Sequence, residues 1–219
     1  MPRREHHESD GVIRRYFRRE PKQSRSRALV EAVVAAADEL IRGGAPIDGV
    51  TVERVSARAG VGMGSFYEYF TSKDSLLGVL IGKVTRSNFE VLARKLEAIE
   101  TSSLDSLVRA FAGCIVETYL AHPNRTRVLL EGVARLKLAP LVHEEKDRFA
   151  HVMALRAASF LPNDSLEAID VTMRFIADAA MGVIVFTAMR GGAIDEERIA
   201  EDLASMASEL LHRRHPARE

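Results

Sequence analysis

"TVERVSARAGVGMGSFYEYF", residues 51–70, decides how this chain is read. Three glycines at alternate positions, Gly60, Gly62 and Gly64, are followed by four aromatic rings, Phe66, Tyr67, Tyr69 and Phe70. Close-spaced glycines can cradle a nucleotide phosphate, but a dinucleotide loop needs a preceding strand and the pattern G-x-G-x-x-G. Here the pattern is G-x-G-x-G, and the preceding "TVERVSARA" sets Val52, Val55 and Ala59 at helical spacing. A P-loop needs a lysine and a hydroxyl after its last glycine, and "GSFYEYF" has neither in place. A helix, a tight turn and a second helix account for the stretch better. Thr51 caps the first helix, Gly60 takes the left-handed conformation at the turn, Val61 plugs the space between the helices and Gly62 is a permissive N-cap. Phe66 and Phe70, four apart, share an inward face with Val55 and Ala59. Met63, Gly64, Ser65, Tyr67 and Glu68 are left facing outward. That surface is small and hydrogen-bonding, and the bare Gly64 allows close approach, which suits a DNA major groove.

Working outward, Leu29, Val30, Val33, Val34, Ala37, Leu40 and Ile41 mark the apolar face of an earlier helix, starting near Ser24 or Ser26 and stopped by Gly43 and Gly44. After the motif, "SKDSLLGVLIGKV" opens another helix, capped by Ser72 or Thr71 and continuing through Leu96. The remainder predicts helices near 104–121, 124–138, 140–160, 165–190 and 195–213, punctuated by Pro123, Pro140, Pro162 with Asn163, and Gly191 with Gly192. No segment sustains a strand-like alternation, so the expected class is all-α. Residues 1–23, with seven Lys/Arg and little apolar content, read as a flexible basic arm.

The net charge is zero but unevenly placed: residues 1–95 hold 17 Lys/Arg against 12 Asp/Glu, and residues 96–219 hold 14 against 19. An anionic partner is therefore expected for the first part alone. A single cysteine, Cys114, excludes an internal disulfide and fits a reducing, cytoplasmic setting. The longest apolar run, residues 179–189, has eleven residues, too few for a membrane-spanning helix.

Residues 51–81, with the match extending back to about residue 24, resemble the DNA-binding head of the TetR family of bacterial transcriptional regulators. The resemblance is carried by the T-V-x-x-V-S-x-x-A-G body, the G-V-x-x-G-x-x-Y-x-x-F recognition segment and the S-K-x-x-L-L opening of the next helix. It departs from the family at Gly62, where serine or threonine is frequent. The resemblance implies a three-helix head with a helix-turn-helix over 24–72, a connecting helix over 73–96, a larger helical ligand-binding and dimerisation domain over 97–213 and a tail over 214–219. It also implies a homodimer on double-stranded operator DNA, controlled by a small molecule.

Candidate DNA contacts are Arg25, Arg27, Thr51, Met63, Gly64, Ser65, Tyr67, Glu68, Tyr69 and Lys73. Tyr67, Tyr69 and Lys73 match family positions that touch DNA; the alternatives are rings packed beside Phe66 and Phe70 and a solvated lysine. A cation at Lys73 opposes the helix dipole unless a phosphate answers it. Met63, Ser65 and Glu68 are the candidate base readers, and Glu68 could accept from a cytosine amino group. Phe89, Phe111, Cys114, Ile115, Tyr119, Phe149, Met153, Phe175, Asp178 and Met181 are candidate walls of a pocket for a largely apolar effector, each of them otherwise ordinary core. Asp178 could meet a ligand cation or pair with Arg174 one turn away. The helix over 165–190 is apolar nearly all round, so Val183 and Ile184, with Ile199, Leu203, Met206 and Leu210 of the next helix, are expected at a four-helix dimer interface. His143, Asp147 and His151 share a helical face that can hold a metal, but a solvated face is the expected reading. No metal, cofactor, membrane contact or catalysis is expected. The rival functions are a ligand-dependent activator or co-repressed regulator and, from another class, a helical small-molecule enzyme with a DNA-binding-like head.

Overall fold

The computed structural model describes residues 11–216. Among them nine complete α-helices follow in order: α1 Ser24–Arg42, α2 Val52–Ala59, α3 Met63–Tyr69, α4 Lys73–Ala98, α5 Leu104–Leu120, α6 Pro123–Arg135, α7 Ala139–Ala158, α8 Leu166–Arg190 and α9 Glu196–Arg214, with a 3-10 turn at Ile47–Gly49. No described residue lies in a strand, so the fold is all-α. The boundaries follow local chemistry. Thr51 accepts from the Arg54 amide at 3.3 Å, Ser103 from Ser106 at 3.2 Å, Ser165 from Ala168 at 3.2 Å and Asp195 from Arg198 at 3.0 Å, each satisfying an orphan donor of a first turn. Pro123 and Pro140 stand in the first turns of α6 and α7, where a missing N–H costs nothing.

The chain forms two compact units. The first takes the residues up to 86 together with 124–142; the second takes 87–123 together with the chain from 143 onward. The contiguous boundaries expected at 72/73 and 96/97 therefore do not mark the compact units, and long-range polar links explain why. Asn124 donates to the Ile41 carbonyl at 2.7 Å, Arg125 pairs with Asp38 at 2.7 Å, and Arg135 pairs with Asp48 at 3.3 Å and Asp74 at 3.1 Å. Helix α6 is thus fastened to α1, to the 3-10 turn and to the start of α4. The first unit buries Val33, Ile41, Val55, Phe66, Phe70, Leu76, Leu77 and Leu80 in one core. The second buries Leu92, Leu96, Leu107, Leu120, Ile169, Ile184 and Leu211, with α9 packed along α5.

The described part of the expected flexible arm is ordered. Residues 11–14 are helical, Ile13 is buried, and Tyr16 and Phe17 pack on the first unit's core. Arginines dominate this segment's composition, but Val12, Ile13, Tyr16 and Phe17 fall on one helical side and find partners far away in sequence. The expectation for residues 1–10 lies outside the described residues.

The eleven-residue apolar run belongs to a much longer element. Helix α8, with 25 residues, is by length and composition long and apolar enough to cross a bilayer. It is two-sided, however: Ile169, Met173, Ala180 and Ile184 are buried in the second unit's core, and Asp170 and Arg174 join a network of ion pairs.

Candidate nucleic-acid interface and effector cavity

Helices α2 and α3 form the helix-turn-helix. Gly60 closes α2 at φ +67° and ψ +30°, the left-handed conformation that residues with a β-carbon disfavour. Gly62 stands extended before α3 and provides no side-chain cap. Phe66 and Phe70 are fully buried, their ring centroids 5.2 Å apart. Met63 is 50% and Tyr67 43% exposed, Gly64 and Glu68 are exposed and Ser65 is half-buried, so the outward face expected of α3 is present. A β-carbon at Gly64 would meet nothing within 4 Å, which leaves that point of the face open.

Tyr69 is not on that face. It is only 8% exposed and belongs to the head's core. At three residues from Phe66 it falls on the inward stripe, as Phe70 does at four. Lys73 differs too: its ammonium lies 3.1 Å from an Asp48 oxygen and donates to the Ile47 carbonyl at 3.4 Å. An aspartate from the 3-10 turn thus answers the cation at the start of α4. Lys73, first by hydrogen bond and then by charge, and Arg135 after it hold the Asp48 carboxyl below its usual range. Arg25 and Arg27 are exposed in the first turn of α1, which contains no acidic residue. Arg54 donates to the Gly49 carbonyl at 2.6 Å and Arg58 pairs with Glu39 at 2.7 Å.

Inside the second unit lies a cavity of about 50 Å³ with an almost wholly apolar wall. Of the candidate wall residues, Phe89, Phe111, Ile115, Tyr119, Phe149, Met153 and Met181 line it. Phe111 and Phe149 stack there at a centroid distance of 5.0 Å. Three expected residues do not line it. Cys114 is half-buried beside it, its thiol pushed up by burial. Phe175 points outward, 53% exposed, with the Arg214 guanidinium 5.2 Å from its ring centroid. Asp178 is exposed and pairs with Lys146 rather than with Arg174, which binds Asp170 and Asp147 at 2.7 Å each. Sequence reasoning missed the alanines of the wall, Ala112, Ala150, Ala177, Ala180 and Ala207, and aliphatic and methionine side chains such as Leu92, Met173 and Leu211, which look like ordinary core in sequence. Lys146 is the one charged residue in the wall, buried, with partners in Asp178 and, at 3.2 Å, Asp147. Burial pulls its ammonium down, but the hydrogen bonds it donates to those carboxylates outweigh this and hold it above its usual value.

The expected dimer residues divide. Val183 and Met206 are exposed, Ile199 and Leu210 are half-buried, and Ile184 and Leu203 are buried in their own unit's core. The outer face of α8 is instead a stripe of Val171, Phe175, Val183, Phe186 and Met189, with Phe186 68% exposed. His143, Asp147 and His151 do not converge: His151 lies 2.9 Å from Asp170, and Asp147 is taken by Arg174 and Lys146. No group of three metal-ligating side chains occurs among the described residues.

With this geometry established, comparison with known proteins is informative. Residues 33–80 match the model of the bacterial regulatory proteins of the tetR family. No curated protein matches the chain. Among solved structures, a protein from Mesorhizobium loti MAFF303099 assigned to the TetR family of transcriptional regulators superposes with a TM-score of 0.68 at 14% identity, over 87% of this chain and 98% of that one. A TetR transcriptional regulator from Rhodococcus sp. RHA1 gives 0.59 at 21% identity, covering 86% and 98%. SmeT, the repressor of the Stenotrophomonas maltophilia multidrug efflux pump SmeDEF, gives 0.58 at 18% identity, covering 82% and 88%. At such identities the likeness establishes a shared fold across most of the chain.

Proposed function

We propose that the chain is a TetR family transcriptional regulator, a reading supported by the match of its head and the likeness of its fold, and that it is a cytoplasmic, homodimeric repressor that leaves its operator when a small apolar molecule fills the second unit. The observation that carries the DNA half is the outward face of α3, Met63, Gly64, Ser65, Tyr67 and Glu68, standing clear of a core that holds Phe66 and Phe70. Met63, Ser65 and Glu68 read base edges, while Tyr67, Thr51 at the head of α2, and Arg25 and Arg27 contact the backbone. Lys73 reaches a phosphate by exchanging its Asp48 partner for it.

The effector half rests on the cavity. Its wall offers one charge, and that charge is already answered by two carboxylates, so an uncharged apolar ligand fits best. The empty space is small, and Met153, Met173, Met181 and Met206 supply flexible wall that can repack. Two subunits meet through the α8 stripe, giving two heads for two half-sites. Helix α4 runs from the first unit into the second and is the element a ligand would bias.

The test is selection of duplexes from a random-sequence pool. A two-fold symmetric consensus should emerge, and an uncharged dye such as Nile red should bind the protein and weaken its hold on that consensus. Linkage requires the consensus duplex to weaken the dye by the same factor, typically about 5–150-fold. A pool with no enriched sequence would overturn the DNA reading. Equal dye affinity with and without DNA would remove the switch and leave a constitutive binder.

A further inference from the structure

Helix α3 has only seven residues and no C-terminal glycine, and its last turn contains no basic residue. So short a helix is unstable alone, and its final carbonyls need donors from elsewhere. They find them in the segment before α1. The Arg18 guanidinium donates to the Tyr67 carbonyl at 3.1 Å, and the Arg18 amide donates to the Tyr69 carbonyl at 2.8 Å. The same segment is seated on α4. Gly78 and Gly82, one turn apart, leave a bare groove on that helix; the Tyr16 ring lies over Gly78 and the Ile13 side chain over Gly82, so closely that a β-carbon at either glycine would collide. Phe17 packs on Phe70 at 5.6 Å between centroids, and the Tyr16 hydroxyl donates to the Leu136 carbonyl at 3.0 Å.

We infer that residues 11–18 are a clasp that positions the DNA-reading helix, with Arg18 and Tyr16 as its positioning residues. Their side chains tie the end of α3 to α4 and to the segment after α6, so the outward face of α3 is presented at a fixed angle. This rests on the proposal that α3 reads DNA. Arg18 acts by completing the helix end rather than by adding one more positive charge near a phosphate, and the two roles separate in experiment.

The test uses the full chain. Amide hydrogen exchange is followed in the peptide covering 63–70 for Arg18→Gln, for Gly78→Ala, which lifts the clasp from the opposite side, and for Arg19→Gln, which removes a neighbouring charge. The first two should exchange about tenfold faster than the parent, as loss of a charge-assisted hydrogen bond implies, and Arg19→Gln should match it. Each protein is then titrated across salt with a duplex selected by the parent and with a scrambled duplex. The clasp variants should lose about tenfold on the selected duplex, little on the scrambled one, and keep the parent's salt slope. Equal losses on both duplexes, with the slope reduced by about one for Arg18→Gln and Arg19→Gln alike, would make Arg18 a phosphate contact and overturn the inference. Unchanged exchange in both clasp variants would overturn it as well. If the parent selects no duplex, the DNA reading fails separately and the exchange measurement alone decides. Tyr16→Phe, which removes only a hydroxyl, replaces Gly78→Ala should the latter not fold; it should quicken exchange in the same peptide, and parent-like exchange would count against the clasp.

Discussion

The head and the second unit treat their apolar residues in opposite ways. In the head, Phe66, Phe70, Leu76, Leu77 and Leu80 are sealed inside, only Met63 and Tyr67 of its large apolar side chains are exposed, and ion pairs such as Lys73–Asp48 and the largely buried Arg125–Asp38 tie its elements together. The second unit leaves space among its own rings and exposes Val171, Phe175, Phe186 and Met189 along one helix. A closed core with a mostly polar outer face suits a rigid reading head. A core with a void and an uncovered apolar stripe suits a unit completed by other molecules, a ligand within and a second copy without.

The largest test of that contrast is Phe186→Asp. If the α8 stripe joins two subunits, a charge at its most exposed ring should give monomers by light scattering. It should also cost about 10²–10⁴-fold in operator affinity, because one head loses the advantage of being linked to the other. A dimer of unchanged mass would move the interface elsewhere. Phe70→Ala probes the opposite regime. A fully buried ring removed from a closed core should destabilise the head by about 3–5 kcal/mol in denaturant unfolding while leaving the dimer mass unchanged. A loss below about 1 kcal/mol would mean the head's packing is looser than its burial implies.

The same contrast explains what the sequence made legible. Helices α5 to α9 were readable because the punctuating Pro123, Pro140, Pro162 with Asn163, and Gly191 with Gly192 are local signals; the caps at Ser103, Ser165 and Asp195 were seen only in the fold. The turn of the helix-turn-helix was readable because Gly60 must take a conformation few other residues tolerate. Features that depend on distant partners were not. The groove at Gly78 and Gly82 gives meaning to Ile13 and Tyr16 only once the chain is folded. The affiliation of α6 with the head rests on Val128, buried in the head's core, and on single polar residues, Asn124, Arg125 and Arg135, whose partners lie 61 to 87 positions away. In the candidate site, Tyr69 was named from the family resemblance, and its ring takes the alternative place, packed in the core with Phe66 and Phe70. Seven of the twenty residues lining the cavity were legible, since rings stand out as candidate wall while alanines and aliphatic side chains look like ordinary core.

Filling the void is a smaller perturbation than either aromatic substitution. Ala112 is buried in the cavity wall, so Ala112→Leu should occupy much of the space. Nile red fluorescence should fall about fivefold or more, with stability changed by less than about 1.5 kcal/mol and operator affinity within about twofold. Cys114→Ser, outside the wall, is the control and should leave dye binding as it is. A dye signal insensitive to Ala112→Leu would place the ligand outside this cavity.

The smallest effect concerns Asp48, and it should have opposite signs in the free protein and on DNA. Its carboxyl is held below the ordinary value of 3.8, first by the hydrogen bond from Lys73. A depressed acid pKa means that the folded state favours the ionised form. The stabilisation is therefore complete above pH 3.8 and is lost as pH falls through the lower folded value. Asp48→Asn should lower the Tm slightly at pH 7, and the difference from the parent should close as pH falls below about 4. Because Asp48 is exposed, the difference should also shrink with added salt. On DNA the substitution acts the other way. Lys73 no longer has to leave a carboxylate for a phosphate, so affinity for both selected and scrambled duplexes should rise modestly. Melting curves across pH, with duplex titrations at one salt, check both signs. A fall in DNA affinity would show that Asp48 is needed to aim Lys73, and the pair would then be part of the reading head's architecture rather than a competitor for its phosphate contact.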